Sequence, residues 1–152
     1  MHAKPKNDRP SLKLMRLAME FGAIEKRIRN YGTDVAIHEA EIHMIKAVKE
    51  ADGIHVTGLA ERFGVTKGAV SQMLIKLEKK NLVTKEPDSA NLSRLQLTLT
   101  PKGEHAYARH EELHATFDRA VEDQLARYPE AFKADLSRFM DAMNTVLADF
   151  KD

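Results

Sequence analysis

Two histidines one helical turn apart carry the most recognisable chemistry in this sequence. Residues 110–114 read His-Glu-Glu-Leu-His, which satisfies the H-E-x-x-H pattern of many zinc metalloproteases. On a helix, His110 and His114 would lie on one face and could share a metal ion, and the glutamate after the first histidine would polarise a bound water. A zinc metalloenzyme is therefore one hypothesis for the function.

The remainder of the sequence does not complete a protease site. No histidine follows His114, and the available carboxylates, such as Glu122, Asp123 and Glu130, lie on the same predicted helix or just beyond it. Nothing resembles an edge strand that would bind a peptide substrate. We therefore expect that the protein is not an enzyme and that the histidine pair is half of a metal site.

A second candidate site lies on a predicted helix over residues 66–80, which follows a short predicted helix over residues 57–63. A helix-turn-helix needs a small residue where its helices cross, and a glycine where the turn requires positive φ. Ala60 and Gly64 meet these requirements. Apolar residues should lock the second helix onto the first, and here they are Val65, Val70 and Met73.

The outward face of this second helix is predicted to be short, polar and basic, as a helix that enters the DNA major groove should be. Gln72 could pair with adenine through two hydrogen bonds, and Lys67 could reach a guanine edge or a phosphate. An ordinary solvated helix face is the alternative. The predicted contacts are Thr66, Lys67, Gly68, Ser71, Gln72 and Lys76.

Alternating residues on both sides of a polar loop at residues 87–91 predict a β-hairpin. We interpret this hairpin as a wing, in which Lys85 and Arg94 would reach the minor groove or the DNA backbone. The predicted winged helix-turn-helix spans residues 56–100.

Apolar periodicity predicts long helices outside that unit, over residues 11–32 and within residues 101–152, with Ser11 as the first N-cap. The last helix has a broad apolar stripe, from which we infer that the terminal helices form a dimer. The expected fold is mainly α with a small β-hairpin wing, a winged helix-turn-helix with long terminal dimerisation helices in a single domain over residues 1–152.

Charge is unevenly distributed, although the net charge is only +1. Residues 57–103 contain 8 Lys/Arg against 4 Asp/Glu, whereas residues 104–152 contain 6 against 11. A basic centre beside an acidic C-terminal third suits a DNA partner. The absence of cysteine excludes disulfides, and no apolar run approaches a membrane span, so we expect a cytoplasmic protein with no membrane partner.

The run VTGLAERFGVTKGAVSQMLIKLEKKNLVTKEPD, followed by LTLTPKGEHAY, resembles the MarR family of winged-helix transcriptional regulators. The resemblance covers nearly the whole chain and implies a homodimer that binds pseudo-palindromic double-stranded DNA operators. One departure concerns the wing, which in the family commonly has an Asp-x-Arg signature. Here Asn91 and Ser93 occupy those positions, and Arg94 comes one place late.

The same family has a zinc-responsive branch of repressors of zinc uptake, and the histidine pair resembles the metal site of that branch. The resemblance implies Glu25 from the first helix, His43 from the second, and His110 and His114 from the fifth as zinc ligands. Three nitrogen ligands and one oxygen ligand suit tetrahedral zinc. His38, Glu41, His105 and Glu111 are spare ligands for a second or shifted site.

These observations predict a sequence-specific DNA-binding regulator that needs no cofactor and is controlled by zinc or by a small molecule in the interhelical crevice. The alternative is that the histidines are ordinary surface residues of an acidic helix and that there is no effector. Ligands from several helices would fix the separation of the two recognition helices and so bias the DNA-competent state. A winged-helix module that never reads DNA would show an apolar or acidic face on residues 66–80, and the sequence shows the opposite.

Overall fold

The computed structural model describes residues 9–51, 54–88 and 91–150. Within them are six helices and one two-stranded antiparallel sheet, which confirms the predicted mainly α fold with a hairpin wing. The elements, in chain order, are α1 (Pro10–Glu25), α2 (Glu39–Glu50), α3 (Val56–Phe63), α4 (Lys67–Lys79), β1 (Val83–Asp88), β2 (Asn91–Leu99), α5 (Pro101–Leu125) and α6 (Glu130–Ala148).

The chain forms two compact units, one up to His110 and the other from Glu111 onward. The hydrophobic core of the first unit joins α2, α3, α4, the hairpin and the start of α5. Its fully buried side chains include Ile45 of α2, Leu59 of α3, Leu74 of α4 and Leu97 of β2. The core therefore fixes the two helices of the helix-turn-helix to the wing.

The first helix is shorter than the predicted segment over residues 11–32. Arg9 is the N-cap in place of the predicted Ser11, Pro10 begins the helix, and the last helical residue is Glu25. The apolar residues that continue the pattern belong instead to a folded connection, because the backbone of Arg29 pairs with that of Ile37 in an antiparallel bridge.

Tyr31 and Gly32, at the tip of that connection, both adopt positive φ, at 46° and 75°. A positive φ is unusual for a bulky residue. The Tyr31 ring compensates by being buried against the ring of His110, at a centroid distance of 5.7 Å. Burial raises the pKa of the Tyr31 phenol, and a hydrogen bond with Arg29 partly opposes this effect.

The start of α5 is packed against the segment that joins α4 to β1. Thr100 Oγ1 donates to the Asn81 carbonyl at 2.7 Å and accepts the Gly103 N–H at 3.0 Å, so that one hydroxyl caps α5 and ties it to residue 81. Asn81 has φ 56°, which turns the chain from α4 into the wing. Residues 81, 100 and 103 thus form a compact junction between α4, the hairpin and α5.

Neither α1 nor α6 has a buried residue. On α1, Leu17 and Met19 are 68% and 72% exposed, and on α6 Phe139 and Met140 are 50% and 56% exposed. The predicted dimerisation helices require exposed apolar side chains, and both ends of the described chain have them. No helix of the described residues is long and apolar enough to cross a membrane.

Candidate DNA-reading helix and its effector cluster

The turn between α3 and α4 has the geometry that the sequence predicts. Gly64 is in the left-handed region with φ 62° and ends α3, and the Val65 N–H donates to the Ala60 carbonyl at 3.1 Å. Val70 is buried and Met73 packs against the core, as expected. The interpretation of Val65 as a lock is wrong, because its side chain is 46% exposed at the outer edge of the turn.

The N-terminus of α4 is capped by Thr66, whose Oγ1 accepts the Ala69 N–H at 3.2 Å. Capping uses an acceptor lone pair of the hydroxyl, so its hydrogen can still be donated to a phosphate. Lys67, Gly68, Gln72 and Lys76 are exposed, while Ser71 is half-buried. The predicted DNA-facing residues therefore share one surface, with Ser71 at its margin.

Sequence reasoning missed two further members of this surface. At 100° per residue, Ile75 and Lys79 fall near the centre of the exposed face, on the same side as Gln72. Ile75 is 38% exposed and Lys79 is also exposed. The signal was present, because both residues follow Gly68 and Gln72 at helical spacing. We call the set the α4 face, consisting of Lys67, Gly68, Gln72, Ile75, Lys76 and Lys79.

The two predicted DNA contacts of the wing, Lys85 and Arg94, remain predictions. Lys85 lies at the base of β1, where its Nζ pairs with Glu78 Oε2 of α4 at 2.6 Å, so reaching DNA would require exchanging that partner. Arg94 lies in β2, but its side chain is outside the described part of the structure. The hairpin register shifts between Pro87 and Asp88, which leaves residues 92–94 in a bulge near the tip.

Three of the four predicted zinc ligands come close to each other in the first unit. His43 Nε2 lies 3.7 Å from Glu25 Oε2, and the ring centroids of His43 and His110 are 5.9 Å apart. His110 is only 2% exposed. His114 follows one turn later on α5 and belongs to the second unit.

The ligand types fit zinc, but the arrangement does not form a zinc site as it stands. Zinc requires four ligand atoms at about 2.0–2.2 Å from the ion. Among the described residues, no group of three or more His, Asp or Glu side chains could hold a metal ion. Of the spare ligands, Glu41 is unavailable because Lys80 occupies both of its oxygens, at 2.7 and 2.6 Å.

A mainly apolar cavity of about 410 Å³ lies beside this cluster, between α2, the α3–α4 turn and α4. It shares His43 with the cluster and includes the exposed Val65. Its size suits a small organic molecule, as binding pockets are typically about 300–1,000 Å³. The lining residues are Glu39, Ala40, His43, Met44, Phe63, Val65, Ala69, Val70 and Met73.

Comparison with known proteins finds a family match over the segment that contains α2 to the start of β2. Residues 37–92 match the model of the MarR family. The matched MarR segment contains the whole helix-turn-helix and the first strand of the wing.

Curated relatives are similar over more than this MarR segment. Two are uncharacterised HTH-type transcriptional regulators of Bacillus subtilis (strain 168): YhjH is 27% identical over 103 residues, 62% of this chain, and YvnA is 30% identical over 74 residues, 49% of it. The chain spans 59% and 47% of the lengths of these relatives.

Solved structures share the MarR-type fold at low sequence identity. FabT of Streptococcus pneumoniae, in complex with DNA, is 22% identical with a TM-score of 0.72, covering 93% of this chain and 96% of that chain. Zinc-responsive ZitR of Lactococcus lactis is 14% identical with a TM-score of 0.70, covering 89% and 94%. Adhesin competence repressor AdcR of Streptococcus pyogenes is 15% identical with a TM-score of 0.71, covering 91% and 98%.

The metalloprotease hypothesis is set aside by these findings. The named relatives are described as HTH-type transcriptional regulators. In addition, His110, the first histidine of the H-E-x-x-H run, is buried against Tyr31 and therefore does not face a substrate.

Proposed function

We propose that this chain is a homodimeric transcriptional regulator that reads a DNA operator through the α4 face. The observation that carries the proposal is the composition of that face. It presents three lysines, a glutamine, a glycine and an isoleucine, and no acid. Lysines bind phosphates, glutamine reads adenine, and an apolar side chain contacts the thymine methyl group.

The homodimer is supported by the exposed apolar side chains of α1 and α6. A second copy of the chain would bury them, and a two-fold dimer would place two α4 helices in successive major grooves. The separation between half-sites would then be one helical turn, about 10–10.5 base pairs from centre to centre. A single domain over residues 1–152 is part of the same proposal.

Selection from a pool of random duplexes tests this function. We expect the wild-type protein to enrich an inverted repeat with that spacing, and two chains to bind each selected duplex. Enrichment of a single half-site would contradict the homodimer. A pool without any enriched sequence, at a salt concentration where binding is measurable, would contradict sequence-specific binding.

For control of the regulator, we propose zinc held by Glu25, His43, His110 and His114, which ZitR, a zinc-responsive protein of the same fold, makes chemically reasonable. Ligands from three helices would coordinate the positively charged ion together. The apolar cavity beside His43 supports a second candidate, a small organic effector, because its lining offers few polar groups apart from Glu39 and His43.

Operator affinity measured with zinc and with a chelator separates these effectors. Zinc is expected to change the affinity of the wild-type protein by about 10-fold, a typical allosteric coupling, and to have no effect on a His43→Ala, His114→Ala variant. A His55→Asn variant, which changes a histidine outside the proposed set, should respond as the wild type does. Equal affinities in zinc and chelator would exclude zinc and leave the cavity as the remaining candidate.

A further inference from the structure

A buried ion pair joins the end of the recognition helix to the start of α2. Lys80 is the C-cap of α4, and its Nζ donates to Glu41 Oε1 at 2.7 Å and to Glu41 Oε2 at 2.6 Å. The same Nζ donates to the Ala36 carbonyl at 2.7 Å. Glu41 is 3% exposed, and its Oε2 also accepts the His38 N–H at 2.8 Å.

Both members of the pair have hydrogen-bond partners inside the protein, and in this respect Lys80 differs from the lysines of α4. An ammonium group has three hydrogens to donate, and all three of the Lys80 group are used inside the protein. Lys80 therefore does not serve as a phosphate contact. A buried ion pair contributes little net stability, because desolvation offsets the attraction, but it fixes one geometry.

The position of the pair suggests what this geometry controls. Asn81, the next residue, turns the chain into the wing with φ 56°, and Glu78, two residues earlier, holds Lys85 of β1. At its other end, α2 lines the cavity through Glu39 in its first turn and through His43 one turn later. The ion pair thus connects the wall of the cavity to the place where recognition helix and wing meet.

We infer that the Glu41–Lys80 pair is a strut that positions α4 and the wing for specific DNA binding, so that both residues are positioning residues that do not touch DNA. The inference deepens the proposed function and rests on it for the DNA measurement. A ligand that moves the first turn of α2 would act on α4 through this strut, because the contact is buried at the Glu41 end and uses both carboxylate oxygens.

Glu41→Gln is the informative variant, because the loss of a negative charge and the loss of the strut would change operator affinity in opposite directions. Loss of a carboxylate alone should tighten binding to the DNA polyanion. Loss of the strut should weaken binding to the selected operator about 10-fold, leave affinity for random duplex unchanged or slightly higher, and leave the salt slope unchanged. The fold should persist, since glutamine still accepts the His38 N–H and Lys80, a quarter exposed, can reach solvent.

Glu50→Gln is the matched control. It removes another α2 carboxylate, which pairs with Arg62 of α3 at 2.7 Å, and a hydrogen bond from that guanidinium holds the pKa of Glu50 below its ordinary value. This variant should keep the ratio of operator to random affinity. In addition, Glu41→Gln, Lys80→Gln should lose no more operator affinity than the larger of its two single variants, since both changes break one contact.

Amide hydrogen exchange without DNA keeps the test independent of the proposed function. We expect Glu41→Gln to speed exchange at residues 78–82 by about 10-fold, a local loss of stability, and Glu50→Gln to leave those amides unchanged. A folded Glu41→Gln protein with wild-type exchange there and a wild-type affinity ratio would overturn the strut. If the wild type lacks specific DNA binding but the exchange result holds, the proposed function fails and the mechanical connection stands.

Discussion

Gly103→Ala is expected to lower the free energy of unfolding by about 3 kcal/mol, the upper end of the usual cost of overpacking a core. A Cβ at this position would lie 2.0 Å from the Leu82 carbonyl oxygen and 3.0 Å from its carbon. Backbone atoms cannot rotate aside as a flexible side chain can. The first turn of α5 would have to move away from the chain between α4 and β1.

That movement would break the contacts that hold the junction together. The Thr100 N–H donates to the same Leu82 carbonyl at 3.2 Å, and the Thr100 hydroxyl donates to the Asn81 carbonyl. Because these contacts also define where α4 ends and the wing begins, we expect operator affinity to fall with stability.

Thermal unfolding at equal chain concentrations measures the effect. A loss of about 3 kcal/mol corresponds to a fall in Tm of roughly 6–12 °C for a chain of this size. Gly22→Ala is the control, because a Cβ on Gly22 in α1 meets nothing within 4 Å, and alanine should stabilise a helix by about 0.5–1 kcal/mol. A Gly103→Ala protein that unfolds at the wild-type temperature would show that the approach of α5 to Leu82 is looser than described.

Features set by residues close in sequence could be predicted from the sequence. Gly64 ends α3, Pro101 begins α5, and residues 83–88 and 91–99 form the two strands of the hairpin, because a turn glycine, a helix-starting proline and strand alternation act locally. The resemblance to the MarR family added the identity of the unit, and the family match over residues 37–92 confirms it.

Contacts between distant residues could not be predicted in the same way. The apolar pattern of α1 continues past Glu25, but the Arg29–Ile37 bridge and the burial of Tyr31 override helical propensity there. The Glu41–Lys80 pair joins residues 39 positions apart, and no local pattern links them.

The prediction for Lys85 illustrates the same limit on the wing. Its charge and its place in the hairpin are local properties that suggest a DNA contact. Its partner Glu78 lies on α4, seven residues earlier, and only the path of the chain through Asn81 brings the two together.

On the α4 face, Gln72→Ala is expected to weaken operator binding by about 10-fold or more, since a bidentate contact to a base contributes roughly 1–3 kcal/mol of discrimination. Binding to random duplex should change little, because it depends on phosphate contacts. Lys76→Ala should instead weaken binding to both duplexes and reduce the salt slope by about one unit. These two exposed residues, one turn apart on α4, therefore separate base reading from phosphate binding.

Gln124→Ala is a suitable control, since it removes an exposed glutamine of α5 in the second unit and should change neither affinity. Both variants of the α4 face lie on exposed positions, so their stability should remain within about 0.5 kcal/mol of the wild type. A change in folding would appear equally in both duplex measurements, whereas a lost base contact appears only with the operator.

The most direct test of DNA reading by α4 is the ratio of affinities for the selected operator and a random duplex, measured for the wild type and Gln72→Ala in the same buffer. The expected ratio is at least about 1,000 for the wild type, as for other specific DNA-binding proteins, and about 10-fold smaller for the variant. A wild-type ratio near one, or an equal ratio in the two proteins, would contradict the assignment of α4 as the reading helix.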